Sequence, residues 1–206
     1  MHESQPSSAL FRRVHFLTGA RRAGQFPEDR GAEVAFAGRS NAGKSSALNA
    51  LTGNRALART SKTPGRTREI NFFRLDEHRR LVDLPGYGYA KAPDAVRRQW
   101  SYTLQYYLAH RHCLCGLVLV MDVRHPFKAF DQELVDRCSV LALPLHILLT
   151  KADRLSTSRA NKTLLDARKH LTGRASSIQL FSAASRQGAA ELAVRLLAWL
   201  NGSPEG

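Results

Sequence analysis

Gly38-Arg39-Ser40-Asn41-Ala42-Gly43-Lys44-Ser45 follows the apolar run Val34-Ala35-Phe36-Ala37 and opens the helix-forming segment Ser46 to Leu51. Strand, glycine-bounded turn and helix, with the spacing Gly-x4-Gly-Lys-Ser, make a phosphate-binding loop. Each residue type has a task. The glycines let successive backbone N–H groups curl around a pyrophosphate at a helix N-terminus. The Lys44 ammonium stands beside the terminal phosphates, and the Ser45 hydroxyl is offered to Mg²⁺.

From Glu33 onward, apolar runs of strand length alternate with amphipathic segments of helix length. The strands fall at Val34 to Ala37, Ile70 to Leu75, Arg80 to Asp83, Gly116 to Asp122, Leu145 to Thr150 and Ile178 to Phe181. The helices fall at 43–52, 94–110, 130–141, 159–171 and 188–200. That order predicts an α/β fold built on a six-stranded, mostly parallel sheet with helices on both faces. Asp76-Glu77-His78-Arg79 is too short for a crossover helix, so the strands on either side form an antiparallel hairpin that supplies one antiparallel edge strand. Residues 1–30 read as a basic arm, part helical; 31–201 as the nucleotide-binding domain; 202–206 as a frayed tail.

Three further stretches fall where a nucleotide switch needs them. Leu81-Val82-Asp83-Leu84-Pro85-Gly86 is a strand ending in Asp-x-x-Gly, about 40 residues after the loop. A carboxylate there can hold Mg²⁺ through its water shell, and Gly86 allows a backbone N–H to reach a γ-phosphate. Thr150-Lys151-Ala152-Asp153, at the end of another apolar run, resembles the guanine-specificity motif Asn/Thr-Lys-x-Asp. Its carboxylate accepts from guanine N1–H and the exocyclic amine, whereas adenine would leave it unpaired, at a penalty of about 1–3 kcal/mol or more. The ligand is therefore GTP or GDP rather than an adenine nucleotide. Phe181-Ser182-Ala183 resembles the motif whose backbone supports guanine O6. Between the first two motifs, residues 61–69 form a polar, turn-rich loop, and Thr67, just before the next strand, is the threonine placed to reach Mg²⁺ and the γ-phosphate.

The chain carries 31 Lys plus Arg against 17 Asp plus Glu, a net charge of +14, which favours a polyanionic partner. No run of 18 or more apolar residues and no secretory core is present, which places the chain in the cytoplasm without stable membrane association. Cys113, Cys115 and Cys138 fit a reducing compartment. Four potential zinc ligands crowd into His110 to Cys115, but they run into an apolar strand without the usual ligand spacing, so both thiols read as core residues. Of Trp100, Tyr102, Tyr106 and Tyr107, at least half belong to the core by helical spacing, and the others are free to stack on nucleic-acid bases.

Three stretches narrow the reading: Gly38 to Ser46, Thr63-Pro64-Gly65-Arg66-Thr67 followed by Ile70-Asn71-Phe72-Phe73, and Asp83-Leu84-Pro85-Gly86-Tyr87-Gly88-Tyr89-Ala90. Over about residues 10 to 200 the chain resembles the Era-like GTPases, and within them the EngB (YihA/YsxC) ribosome-biogenesis GTPases. The resemblance implies a monomeric GTPase acting in assembly of the bacterial large ribosomal subunit, through its rRNA and proteins, and needed for normal division and septation. It makes Ser45 and Thr67 the Mg²⁺ ligands, with Asp83 acting through water. Nucleotide contacts become Gly38, Arg39, Ser40, Asn41, Ala42, Gly43, Lys44 and Ser45; Gly65, Arg66, Thr67, Arg68 and Glu69; Asp83, Leu84, Pro85 and Gly86; Thr150, Lys151, Ala152 and Asp153; and Phe181, Ser182 and Ala183. The catalytic set is Lys44, Thr67, Gly86 and Asn41. Tyr87 stands where many signalling GTPases carry a water-orienting glutamine, so slow intrinsic hydrolysis is expected. An asparagine at the place of Asn41 helps related GTPases bind K⁺, whose charge would stabilise the transferring phosphoryl group. The alternative is an rRNA-binding scaffold in which GTP and GDP are structural ligands and hydrolysis is incidental.

Overall fold

A computed structural model describes residues 6–58, 69–87, 94–171 and 176–202, with the backbone alone at 6–8 and 94–101. Five strands run parallel: β2 (Ala32–Gly38), β4 (Arg79–Asp83), β5 (Leu114–Asp122), β6 (Leu145–Thr150) and β7 (Ser176–Leu180). Two more, β1 (His15–Ala20) and β3 (Ile70–Arg74), are antiparallel to their neighbours, and the order is β1-β3-β4-β2-β5-β6-β7. Period-two alternation sends successive side chains to opposite faces. Val34 and Phe36 of β2, with Val118 and Val120 of β5, meet α1 (Pro6–Arg12), α2 (Lys44–Thr52) and α6 (Ala189–Leu200) through Phe11, Leu48 and Leu196. Ala35, Ala37, Leu117 and Leu119 face α3 (Asp94–His110), α4 (Ala129–Val140) and α5 (Thr157–Lys169) through Tyr107, Val135 and Ala167. Both faces are thus covered, and each fully buried Leu or Phe contributes about 1.5–3 kcal/mol.

The sheet has seven strands rather than six. The additional one, β1, lies in the stretch read as an arm, and it, not the β3–β4 hairpin, forms the antiparallel edge. Its sequence, His15-Phe16-Leu17-Thr18-Gly19-Ala20, has no clean alternation because the register shifts between Phe16 and Thr18, and Phe16 is left 57% exposed. The hairpin itself turns on Asp76, whose carboxylate accepts from the N–H groups of His78 and Arg79 at 3.0 and 2.8 Å.

Two buried polar clusters lie along the sheet. Near the amino end of β2, Glu33 is fully buried and accepts from Arg80 Nε at 2.6 Å, Tyr107 Oη at 2.9 Å, and Arg111 Nε and Nη2 at 2.9 and 2.7 Å. Burial opposes the Arg111 charge, but the hydrogen bonds and charge of Glu33 outweigh it and raise the guanidinium pKa. Nearer the β7 edge, His146 of β6 lies between Ser177 Oγ at 2.9 Å and Gln179 Oε1 at 3.0 Å.

Burial, reinforced by the nearby Arg195 charge, pushes the His146 pKa down to about 4, so the imidazole is neutral in the fold. An unfolded histidine titrates near 6.5, so the unfolded chain takes up the proton first and stability falls as pH drops from about 6.5 toward 4. His146→Gln is expected to remove about 2 kcal/mol of the stability difference between pH 7 and pH 5. Urea midpoints at the two pH values measure it, and the same pH dependence in variant and parent would show that His146 is not the titrating group.

Candidate functional site

The phosphate loop is formed by the change from β2 to α2. Gly38 closes the strand against Val120, where a Cβ would stand 2.6 Å from the carbonyl oxygen. Asn41 and Gly43 take left-handed conformations, φ 65° and 103°, which turn the chain so that the helix begins at Lys44. This alternation of backbone hand aims successive N–H groups into one concavity, and the helix N-terminus adds a positive dipole end. Gly43 packs on Thr150, and the Thr150 hydroxyl shares its one proton between the carbonyl oxygens of Ala42 and of Met121, the latter at 3.0 Å.

The other motifs converge on this loop at the carboxyl ends of the parallel strands, where open α/β sheets bind ligands. Asp83 ends β4 and is buried in an ion pair with Lys44. Leu84 and Pro85 follow as buried residues, with the Leu84 N–H on Phe36 O at 3.0 Å. Lys151, in a left-handed conformation at φ 59°, donates to Asn41 O at 2.6 Å and pairs with Asp122 at 2.9 Å. Hydrogen bonds from Arg124, then Lys151, hold the Asp122 carboxyl well below the usual range. Ala152 N–H donates to Phe181 O at 3.1 Å, and the Ser182 hydroxyl donates to the Asp153 carboxylate at 2.6 Å. One Asp153 oxygen is thus held by Ser182, the other lies 3.4 Å from the exposed Arg154 Nε, and the carboxylate is exposed where a purine edge could meet it. Ala183 packs at the margin of the core beside Ser182. A cleft of about 230 Å³ runs beside the loop between Arg39 to Ala42 and the residues Asp122, Arg124, His125 and Asp131.

Glu69 is not brought to this loop. Its carboxylate takes a hydrogen bond from Arg21 at 2.7 Å, toward the antiparallel edge of the sheet. Gly65, Arg66, Thr67 and Arg68 lie outside the described residues, as do the structure of residues 61–68, Lys91, the 203–206 tail and the Trp100 side chain. Of the remaining aromatics on α3, Tyr107 is fully buried, whereas Tyr102 and Tyr106 are exposed.

The Tyr87 side chain is directed onto the start of α4. Its ring packs on Phe130 with centroids 4.5 Å apart and its hydroxyl donates to Asp131, which also accepts from Lys128 N–H at 2.9 Å at the start of α4. Burial and the neighbouring carboxylate raise the phenol pKa, so it stays a donor. Its backbone extends the sheet: Ser40 N–H donates to Tyr87 O at 2.9 Å and Tyr87 N–H to Gly38 O at 3.3 Å. Asp122, Arg124 and Asp131 are contributors that the sequence did not disclose. The one local signal was their place at and just after the end of an apolar strand.

Oxygen donors suited to a hard divalent cation, the Ser45 hydroxyl and the Asp83 carboxylate, come from the start of α2 and the end of β4. Among the described residues no group of three or more Asp, Glu, His and Cys side chains could form a cage of its own. This donor set therefore fits Mg²⁺ carried in with a nucleotide's phosphates and water.

Strand order, phosphate loop and purine-facing carboxylate together define a nucleotide-binding protein of the phosphate-loop GTPase class. A family model described as 50S ribosome-binding GTPase matches residues 33–151. A probable GTP-binding protein EngB from Coxiella burnetii is 50% identical over 200 residues, which is 96% of this chain and 98% of that protein. Its counterpart from Nitrosococcus oceani is 52% identical over 195 residues, 94% and 98% of the two chains. The chain belongs to the EngB family of GTP-binding proteins. Solved structures share the fold: a probable GTP-binding protein engB has a TM-score of 0.64 at 22% identity, covering 83% of this chain and 100% of that one. Era from Aquifex aeolicus, bound to GDP and aluminium fluoride, has a TM-score of 0.64 at 20% identity, covering 86% and 58%. Among the described residues no helix is long and apolar enough to cross a membrane.

Proposed function

We propose that this chain hydrolyses GTP to GDP and phosphate in the cytoplasm and uses the two states as a switch in assembly of the large ribosomal subunit. One observation carries the reading of the site. Lys151 sits two residues from Asp153 and holds the Asn41 carbonyl at 2.6 Å, so purine and phosphates of one nucleotide are held in register. When GTP enters, Lys44 leaves Asp83 for the β- and γ-phosphates, and the Gly86 N–H and Thr67 hydroxyl close on the γ-phosphate. Ser45 and Thr67 would hold Mg²⁺ directly and Asp83 through water. Bound there, the metal would supply neutralisation of the negative charge that develops on the phosphates. Asn41, exposed on the loop, is the residue beside which K⁺ would add further positive charge.

The net charge of +14 and the exposed Arg12, Arg13, Arg21, Arg22, Arg159, Lys162, Arg168 and Lys169 support docking on rRNA phosphates. The description of the matching family as 50S ribosome-binding supports the same partner. Delayed subunit assembly would in turn slow growth and septation. The test is sedimentation with large subunits or with membranes, in GDP or a non-hydrolysable GTP analogue, with hydrolysis followed in parallel. Binding is expected with subunits and the analogue, weaker with GDP, and falling about a thousandfold between 50 and 200 mM salt if some six phosphates are contacted. Equal binding in both nucleotide states, without stimulated hydrolysis, would identify a scaffold instead. Pelleting with membranes alone would remove the ribosomal reading.

A further inference from the structure

Ser40 holds a hydroxyl that the fold does not use. Its Oγ is buried and has no hydrogen-bond partner among the described residues. A Cβ built on Gly86 would stand 3.0 Å from this oxygen and 3.3 Å from Ser40 Cα, so the hydroxyl packs directly on the backbone of Gly86. The contact is fixed from both sides, because Ser40 N–H and Tyr87 O, and Tyr87 N–H and Gly38 O, tie the segment after β4 onto the loop. Other polar side chains around the loop are engaged elsewhere. The Tyr87 side chain is held by Asp131 and Phe130, Lys151 by Asn41 O and Asp122, and the Thr150 hydroxyl by backbone carbonyls on the far side of the loop.

We propose that the Ser40 hydroxyl is a catalytic group of the GTPase reaction, which orients the attacking water in the place left by the absent glutamine. A buried hydroxyl without a partner is unfavourable, and one kept beside a phosphate loop is completed by a ligand atom. Ser40 has one proton to donate and two lone pairs. When Gly86 turns its N–H to the γ-phosphate, the hydroxyl next to it donates to a γ-phosphate oxygen and accepts from the water in line with the bond to be broken. The water oxygen then bonds to phosphorus, the bond to the β–γ bridging oxygen breaks with its electron pair leaving on GDP, and the water proton passes to a phosphate oxygen. Alignment of the nucleophile and charge placement supply the acceleration.

This role rests on the hydrolase reading above, and the two fail differently. Single-turnover GTP hydrolysis by the full chain is compared for the parent, Ser40→Ala and Ser40→Gly, together with GDP affinity from a fluorescent analogue and thermal unfolding without nucleotide. Both variants are expected to slow hydrolysis by about tenfold to a hundredfold. GDP affinity should stay within about twofold, because the Ser40 N–H is retained and GDP carries no γ-phosphate. The unfolding temperature of Ser40→Ala should match or exceed the parent's, because the unpaired hydroxyl is gone. Variants that hydrolyse at the parent's rate would overturn the role, and so would a slower rate accompanied by an equal loss of GDP affinity. A parent without hydrolysis, alone or with large subunits, would overturn the hydrolase reading and this role with it.

Discussion

Asp153→Asn is expected to weaken GDP and GTP binding by about a hundredfold or more, and to restore tight binding for xanthine nucleotides. The carboxylate follows the Thr150-Lys151-Ala152 turn at the end of β6 and is steadied by the Ser182 hydroxyl at 2.6 Å. Guanine presents two donors, N1–H and the exocyclic amine, to two carboxylate oxygens. Each such hydrogen bond to a charged group is worth about 1.5–3 kcal/mol. An amide keeps one acceptor and turns a donor against the exocyclic amine, so one bond is lost and two donors face each other. Xanthine has a carbonyl where guanine has that amine, and the Asn N–H₂ then meets an acceptor. The Ser182 hydroxyl would still fix the amide oxygen, which favours this orientation. Competition against a fluorescent guanine nucleotide measures both affinities; a variant that loses guanine nucleotides without gaining xanthine ones would show that Asp153 acts on the loop's shape and not on the base.

At the opposite end of β2, Glu33→Ala is expected to destabilise the fold by about 3–5 kcal/mol. The carboxylate is fully buried and is the shared partner of Arg80, Arg111 and Tyr107, whose side chains come from β4, the end of α3 and α3 itself. Removing it leaves two guanidinium groups in the interior with weaker partners: the carbonyls of Glu28 and Arg30 and the Cys113 sulfur for Arg80, and the carbonyls of Pro27 and Glu28 with the Asp29 carboxylate at 3.8 Å for Arg111. For a chain of this size the loss corresponds to about 10 °C in unfolding temperature. Thermal and urea unfolding measure it. Below the transition, GDP affinity should stay within about twofold, because the cluster lies at the amino end of the strand and the phosphate loop at its carboxyl end. A drop in unfolding temperature of less than about 2 °C would mean that the cluster relaxes, or that water replaces the carboxylate.

Much of the site was legible because its chemistry depends on short local spacings. Gly38, Gly43 and Lys44 must be consecutive parts of one turn, and Asp83 and Asp153 must end strands, so each can be read within about ten residues. The parallel strands were equally plain, since burial on both faces leaves continuous apolar runs such as Leu117 to Met121. The edge strand β1 was hidden because one side of it faces solvent and its bulge at Phe16 to Thr18 breaks the alternation. Asp122 and Asp131 were hidden for another reason: nothing in a lone aspartate announces that it meets Lys151 or Tyr87 across the fold. Glu69 shows the converse, since its place in the chain suggested the nucleotide while its partner is Arg21 at the far side of β3. For Tyr87, the sequence disclosed the missing amide, whereas the fold discloses the neighbouring Ser40 hydroxyl.

One cradle is expected to read guanine with Asp153 and phosphates with the loop from Gly38 to Ser45. The most direct measurement is competition of unlabelled GDP, ADP and XDP against a fluorescent guanine nucleotide on the unmodified protein with Mg²⁺ present. GDP is expected to displace the probe at least about a hundredfold more effectively than ADP or XDP, the discrimination expected when an adenine or xanthine fails to offer Asp153 both of guanine's donors. Displacement by ADP at the same concentration as GDP would show that Asp153 does not select the base.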